Sequence, residues 1–198
     1  ELLRMAGNFE GSLQHYRAAL KIDPDFVTSQ LGLGDTYALM GNQEQARIEY
    51  DKAIRFAHNE ADRLTYSMQK AMTYVRDGNF VEADQEFLEI AQNAHGKAQG
   101  LQEAQSYRHL AEYQADANVA LKDLKLAEEA LHHQATISPS DRDEEMSRIL
   151  RNRVVFAANS GNHALADKSL EQLEALANGG RNRVIQSSYQ GAAGTLLM

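Results

Sequence analysis

Seven histidines and 28 acidic residues are the groups in this 198-residue chain that could carry acid–base or metal chemistry. Their spacing does not support either. His132 and His133 are adjacent, and neighbours on a helix point about 100° apart, so the pair cannot face one ion. No H-x-x-x-H or HExxH spacing occurs and cysteine is absent, so no metal site is expected. Gly32-x-Gly34 is not followed by Gly-Lys-Ser/Thr and no strand precedes it, which removes the phosphate-loop reading. No G-x-S-x-G stands around any serine. Carboxylate pairs such as Glu128-Glu129, and the run from Asp143 to Glu145, read as solvated faces and a helix start. The chain is therefore expected to be no enzyme and to need no cofactor. Binding chemistry is what remains. Arg108, Arg148 and Arg151 carry planar forks that suit carboxylates, and Met68 and Met72 sit one helical turn apart as an adaptable apolar surface.

These groups must be positioned by helices. Ala, Leu, Glu, Gln and Arg dominate, β-branched residues are sparse, and there are only 2 prolines and no tryptophan. That mixture favours helix over strand. The net charge of -8, from 20 basic against 28 acidic residues, argues against a nucleic-acid ligand. The longest clear apolar run, Val154 to Ala158, is far too short to cross a bilayer, so no membrane association is expected. No signal peptide opens the chain and no disulfide framework exists. The compartment is left open by this, with the cytoplasm as the nearer expectation.

The dipeptide Gly-Asn recurs at Gly7-Asn8, Gly41-Asn42, Gly78-Asn79 and Gly161-Asn162, with Ala117-Asn118 as a weaker copy. Glycine can end a helix in the left-handed conformation, and asparagine is among the best caps for the next one. A two-residue stop and start predicts a tight antiparallel helical hairpin. Five residues past each glycine stand Ser12, Ala46, Ala83 and Ala166; nine past, Tyr16, Tyr50, Phe87 and Leu170; twelve past, Ala19, Ala53, Ile90 and Leu173. Steps of four and three keep them on one helical face. The copy at Ala117-Asn118 loses this register, and an inserted residue is expected to restore it at Ala127 and Ala130. The predicted units are a partial hairpin over 1–22, hairpins over 26–57, 60–95, 98–135 and 140–178, and a last helix over 182–198. Ser140 or Asp141 is the expected cap of the helix that follows "SPSD".

These residues resemble the tetratricopeptide repeat (TPR) family, whose unit carries Leu-Gly-x-x-Tyr, then Ala-x-x-x-Phe, then Pro. Leu33-Gly34-x-x-Tyr37 matches its first helix, Ala46-x-x-x-Tyr50-x-x-Ala53 its second, and Pro24 its exit. Gly78, Ala83 and Phe87, and then Gly161 and Ala166, repeat the frame, while Gln30 departs from the family's frequent tryptophan. The resemblance implies an all-α fold, a right-handed superhelix of about ten helices in antiparallel hairpins, forming one array over 1–198. It also implies a scaffold that binds a protein or peptide in a groove lined by the first helix of each hairpin. Transferred by spacing, the groove residues are Leu31, Asp35, Met68, Met72, Arg76, Arg108, Glu112, Arg148, Arg151 and Val155. The family's clamp for chaperone C-terminal carboxylates is not expected, because Leu31, Asp35, Met68 and Met72 stand where its lysines and asparagines would be. "SSYQGAAGTLLM" aligns with "SQLGLGDTYALM", placing Met198 opposite Met40, so the array is expected to be cut at both ends. Self-association through the exposed end helices, with Val184, Ile185, Tyr189, Leu196 and Leu197, is the alternative function.

Overall fold

Gly41 and Asn42 show how two residues turn one helix into the next. Gly41 adopts φ +81°, in the left-handed region. Its N–H donates to the Ala38 carbonyl at 3.2 Å, and the Asn42 N–H reaches back to the Tyr37 carbonyl at 2.9 Å. This satisfies the orphan carbonyls of the ending helix. Asn42 Oδ1 then accepts from the Gln45 N–H at 3.1 Å and caps the helix that begins. Gly7, Gly78 and Gly161 also have positive φ, between 72° and 76°.

A computed structural model describes residues 1–133, 137–180 and 182–196 of the chain. Its helices are α1 (Leu2–Met5), α2 (Phe9–Ile22), α3 (Val27–Leu39), α4 (Gln43–Arg55), α5 (Glu60–Arg76), α6 (Phe80–Gly96), α7 (Gly100–Glu112), α8 (Ala117–His133), α9 (Pro139–Asn159), α10 (His163–Asn178) and α11 (Arg183–Leu196). No strand occurs among the described residues, and none of these helices is long and apolar enough to cross a membrane. The fold is all-α, built of antiparallel helical hairpins, as expected. Leu197 and Met198, on which the alignment with Met40 rests, and the expected hairpin end at 135 lie outside the described residues.

Two turns differ from expectation. Ala117-Asn118 is not the fourth turn but the first turn of α8. The cap is Asp116, whose Oδ1 accepts from the Asn118 N–H at 2.8 Å and whose carbonyl takes the Ala120 N–H. Counted from Asp116, the face falls on Ala120, Leu124 and Ala127, all fully buried. No inserted residue is needed; aspartate simply replaces asparagine as the cap. In the fifth hairpin the cap is Ser138 rather than Ser140 or Asp141. Its Oγ accepts from the Asp141 N–H at 3.1 Å, and Pro139 opens α9, where a missing N–H costs nothing. One further turn uses the same geometry without glycine. Gln99 N–H bonds the Ala94 carbonyl at 2.9 Å while Ala98 sits at φ 55°.

The chain divides into two units, Glu1–Ile90 and Ala91 onward. In the first, α3 is held between tyrosines of its two neighbours. A Cβ at Gly34 would meet the Tyr50 ring of α4 at 2.6 Å, and one at Gly32 would meet the Tyr16 ring of α2 at 2.2 Å. The role of Gly32, which spacing alone does not suggest, is therefore to admit the preceding hairpin's ring. Ala46, Tyr50, Ala53, Ala83 and Phe87 are buried. Tyr37 packs half-buried against Ala38, Ala46 and Tyr50, and its hydroxyl accepts from Arg17 at 2.6 Å. In the second unit, α9 packs against α8, α10 and α11. One cluster there includes Leu124, Leu131 and Ile149, and another Leu150, Val154, Leu173 and Ala192. Ala166 is fully buried on the same face of α10.

Two substitutions with opposite signs follow. Gly32→Ala gains about 1 kcal/mol of helix propensity but drives a methyl into Tyr16, and overpacking of about 1–3 kcal/mol should win, lowering the thermal midpoint. The Tyr16→Ala background should remove that penalty. Ala98→Gly should instead raise the midpoint, because a left-handed Cβ costs about 1–2 kcal/mol. Thermal melts by circular dichroism read both.

Candidate functional site

The residues expected to line a groove divide by unit. In the first unit, Leu31 packs half-buried against the Ala46–Tyr50 cluster. Asp35 is committed within the fold: it accepts the Tyr50 hydroxyl at 2.7 Å and pairs with Arg4. Burial, reinforced by the Asp35 carboxylate, pushes the Tyr50 hydroxyl far above its ordinary titration range. Met68 is 5% exposed and belongs to the core, because its turn of α5 faces inward; it is not available as a groove contact. Met72 is half-buried and Arg76 exposed. This face therefore offers Met72 and Arg76, without the acid or the second methionine.

In the second unit, Arg108 forks onto carboxylates as its chemistry suggests, but they belong to its own chain. It is 7% exposed, and its Nε donates to Glu145 Oε1 at 2.5 Å and its Nη1 to Glu112 Oε1 at 2.5 Å. Glu145, on α9, is fully buried. Arg148 Nη1 takes the other Glu145 oxygen at 3.3 Å, and its Nη2 lies 3.6 Å from Glu144. Glu112 also faces His109 Nδ1 at 2.8 Å and accepts from Asn152 at 3.2 Å. Burial alone would raise the Glu112 pKa; the His109 hydrogen bond, the Arg108 charge and the Asn152 bond outweigh it and hold the carboxyl down at about 2. Burial likewise works against the Arg108 charge, but Glu145 and Glu112 raise its pKa and keep it protonated. Buried ions are tolerated only when paired in this way.

Beside this network a cleft of about 510 Å³ opens between α7, α9 and α11. Its lining includes Glu112, Arg148, Arg151, Asn152, Arg183 and Ser187. The size lies within the usual range of about 300–1,000 Å³ for ligand sites. Ser188 at its floor is stitched to Ser147 of α9 at 3.3 Å. Arg151 reaches α11 at Gly191, where a Cβ would stand in ordinary contact with its Nε at 3.4 Å. Arg151 and Arg183 are exposed, and neither has an acidic partner among the described residues. Of the sequence-derived set the structure thus brings together Glu112, Arg148 and Arg151. Val155, one turn further along α9, is half-buried and does not line the cleft.

Arg183, Asn152 and Ser187 escaped the sequence reading. Asn152 and Ser187 carry no repeat signature. Arg183 had a signal: it opens a helix whose first turn holds no acid, against the helix dipole.

Residues 2–41 match the family described as TPR repeat, and residues 27–59 the one described as tetratricopeptide repeat. No curated protein matches the sequence. Among solved structures, BtubC (BKLC) from P. vanneervenii superposes at a TM-score of 0.65 with 18% identity, over 91% of this chain and 78% of that one. The TPR-like repeats of a Podosopora anserina protein named as a kinesin light chain give 0.60 at 17% identity, over 91% and 92% of the two chains. YrrB, described as a TPR protein with an unusual peptide-binding site, gives 0.51 at 18% identity, over 100% and 88%. At such identities the likeness is one of fold.

The network makes two predictions. Arg108→Met should cost up to about 3–5 kcal/mol in urea unfolding, because it takes from the buried Glu145 carboxylate its closest partner and leaves it only Arg148, and Arg108→Met/Glu145→Leu should recover most of the loss. Glu112 is ionised in the folded protein down to about pH 2. Its contribution is therefore fully present above the ordinary glutamate range and is lost as pH falls through that range toward 2. The stability gap between wild type and Glu112→Gln, measured by urea unfolding, should be widest near neutrality and close as the pH is lowered.

Proposed function

Since residues 2–59 are tetratricopeptide repeats and the whole chain has the helical-hairpin fold, we propose that this TPR protein is a non-catalytic interaction scaffold that docks a peptide or protein segment on the first helices of its second unit. The observation that carries this reading is the open cleft between α7, α9 and α11. Its walls come from the first helices of successive hairpins, and its polar groups at Arg151 and Arg183 have no acidic partner among the described residues. The corresponding face of the first unit has spent its acid on Tyr50 and Arg4 and has buried Met68. A peptide-binding site in YrrB, a protein of the same fold, makes the reading a natural one. The net charge of -8 favours a protein ligand over a nucleic acid.

A library of displayed peptides selected on the full chain tests it. Ser187→Trp adds bulk at an exposed position of the cleft, without altering charge or core, and should abolish retention of the selected peptides while leaving the thermal midpoint in place. Met72→Glu, in the first unit, should leave retention unchanged. Equal retention by the Ser187→Trp variant would sink the assignment. Light scattering on the same samples separates peptide capture from pairing of two copies.

A further inference from the structure

We infer that the segment taken by the α7–α9–α11 cleft presents an acidic group, carboxylate or phosphate, and that Arg151 and Arg183 read it. The inference rests on the docking reading above and adds the chemistry of the ligand.

Three observations carry it. The first is that Arg151 and Arg183 share one cleft without an acid paired to them, whereas many cations elsewhere are paired. Arg4, Arg47, Arg108 and Arg153 are each paired with an acid, and so are Lys52 and Lys70. In a chain with an excess of eight negative charges this is the expected state of a cation. Arg151 and Arg183 lack such a partner among the described residues.

The second is that the placement of Arg183 does not serve its helix. Arg183 stands at the first residue of α11, where the helix dipole is positive and an arginine is unfavourable. Arg151 reaches α11 beside Gly191. Two guanidinium groups then line the same cleft, which is an arrangement that suits an anion.

The third is that the acid in the cleft wall, Glu112, is already engaged by groups other than Arg151 and Arg183. Glu112 already accepts from Arg108 and Asn152 through Oε1 and faces His109 through Oε2, so both its oxygens have partners. Arg148 is likewise held by Glu144 and Glu145. Other clefts contrast with this one. The cleft at Arg17, Lys21 and Lys52 has Arg17 on the Tyr37 hydroxyl and Lys52 on Glu49. The one at His95, Glu103, Tyr107, Glu129 and His133 has two carboxylates and no lysine or arginine in its wall.

The experiment uses labelled peptide libraries with degenerate flanks and one fixed central residue: Glu, Asp, phosphoserine, Gln or Lys. Each is passed over the immobilised full chain. Wild type should retain the acidic libraries about ten-fold or more over the Gln and Lys libraries, the value of one charge-assisted bond or more. The preference should shrink at high salt. Arg151→Gln/Arg183→Gln should keep its thermal midpoint, since both side chains are exposed, and bring acidic and neutral libraries to equal retention. Phosphoserine above Glu identifies phosphate as the source; Glu or Asp at least equal to it identifies carboxylate. Retention without acidic preference in wild type, or a preference that survives the double substitution, overturns this inference and leaves the docking reading standing. No retention of any library overturns both.

Discussion

A helix that ends and a helix that begins within two residues cannot diverge; they must fold back on each other. That constraint organises the molecule. Gly41 and Asn42 meet it with a left-handed residue and a side-chain cap, so few backbone groups are left to find partners elsewhere. Once the hairpin closes, the face that begins four residues after the cap is committed to the interior. Ala46, Ala83, Ala120 and Ala166 are all fully buried there. A small residue at that point lets the helices approach, and a ring or a leucine a turn later fills the remaining gap.

The close approach then governs what each first helix can display. In α3 the two faces are taken by Tyr16 and Tyr50, which only glycines at 32 and 34 can admit. Its one acid, Asp35, is drawn into the tyrosine's hydrogen bond. In α7 and α9 a charged network takes the same place, with Arg108 between Glu145 and Glu112. Removing such charges from water is costly unless each is paired. The pairs accordingly satisfy one another, while Arg151 and Arg183, at the periphery, are exposed and have no acidic partner among the described residues.

The hairpins, their antiparallel packing and most of the buried face were legible because they depend on local rules. Gly-Asn states a stop and a cap, and steps of four and three state a face. The fourth turn was misread for an instructive reason. Asp116 performs the cap as well as asparagine, but only the pairing of its carboxylate with a backbone N–H distinguishes it from any other surface acid.

By itself the sequence determined that the chain is helical, where helices stop and start, and which side chains turn inward, because capping and periodicity are properties of neighbours along the chain. Tertiary structure decided which charges are free. Arg108 and Arg151 are the same residue type on first helices of successive hairpins, and spacing treats them alike. One is closed by a carboxylate 37 residues away and the other is not. That difference depends on groups brought together only when α7, α9 and α11 pack, and it is what the proposed binding chemistry rests on.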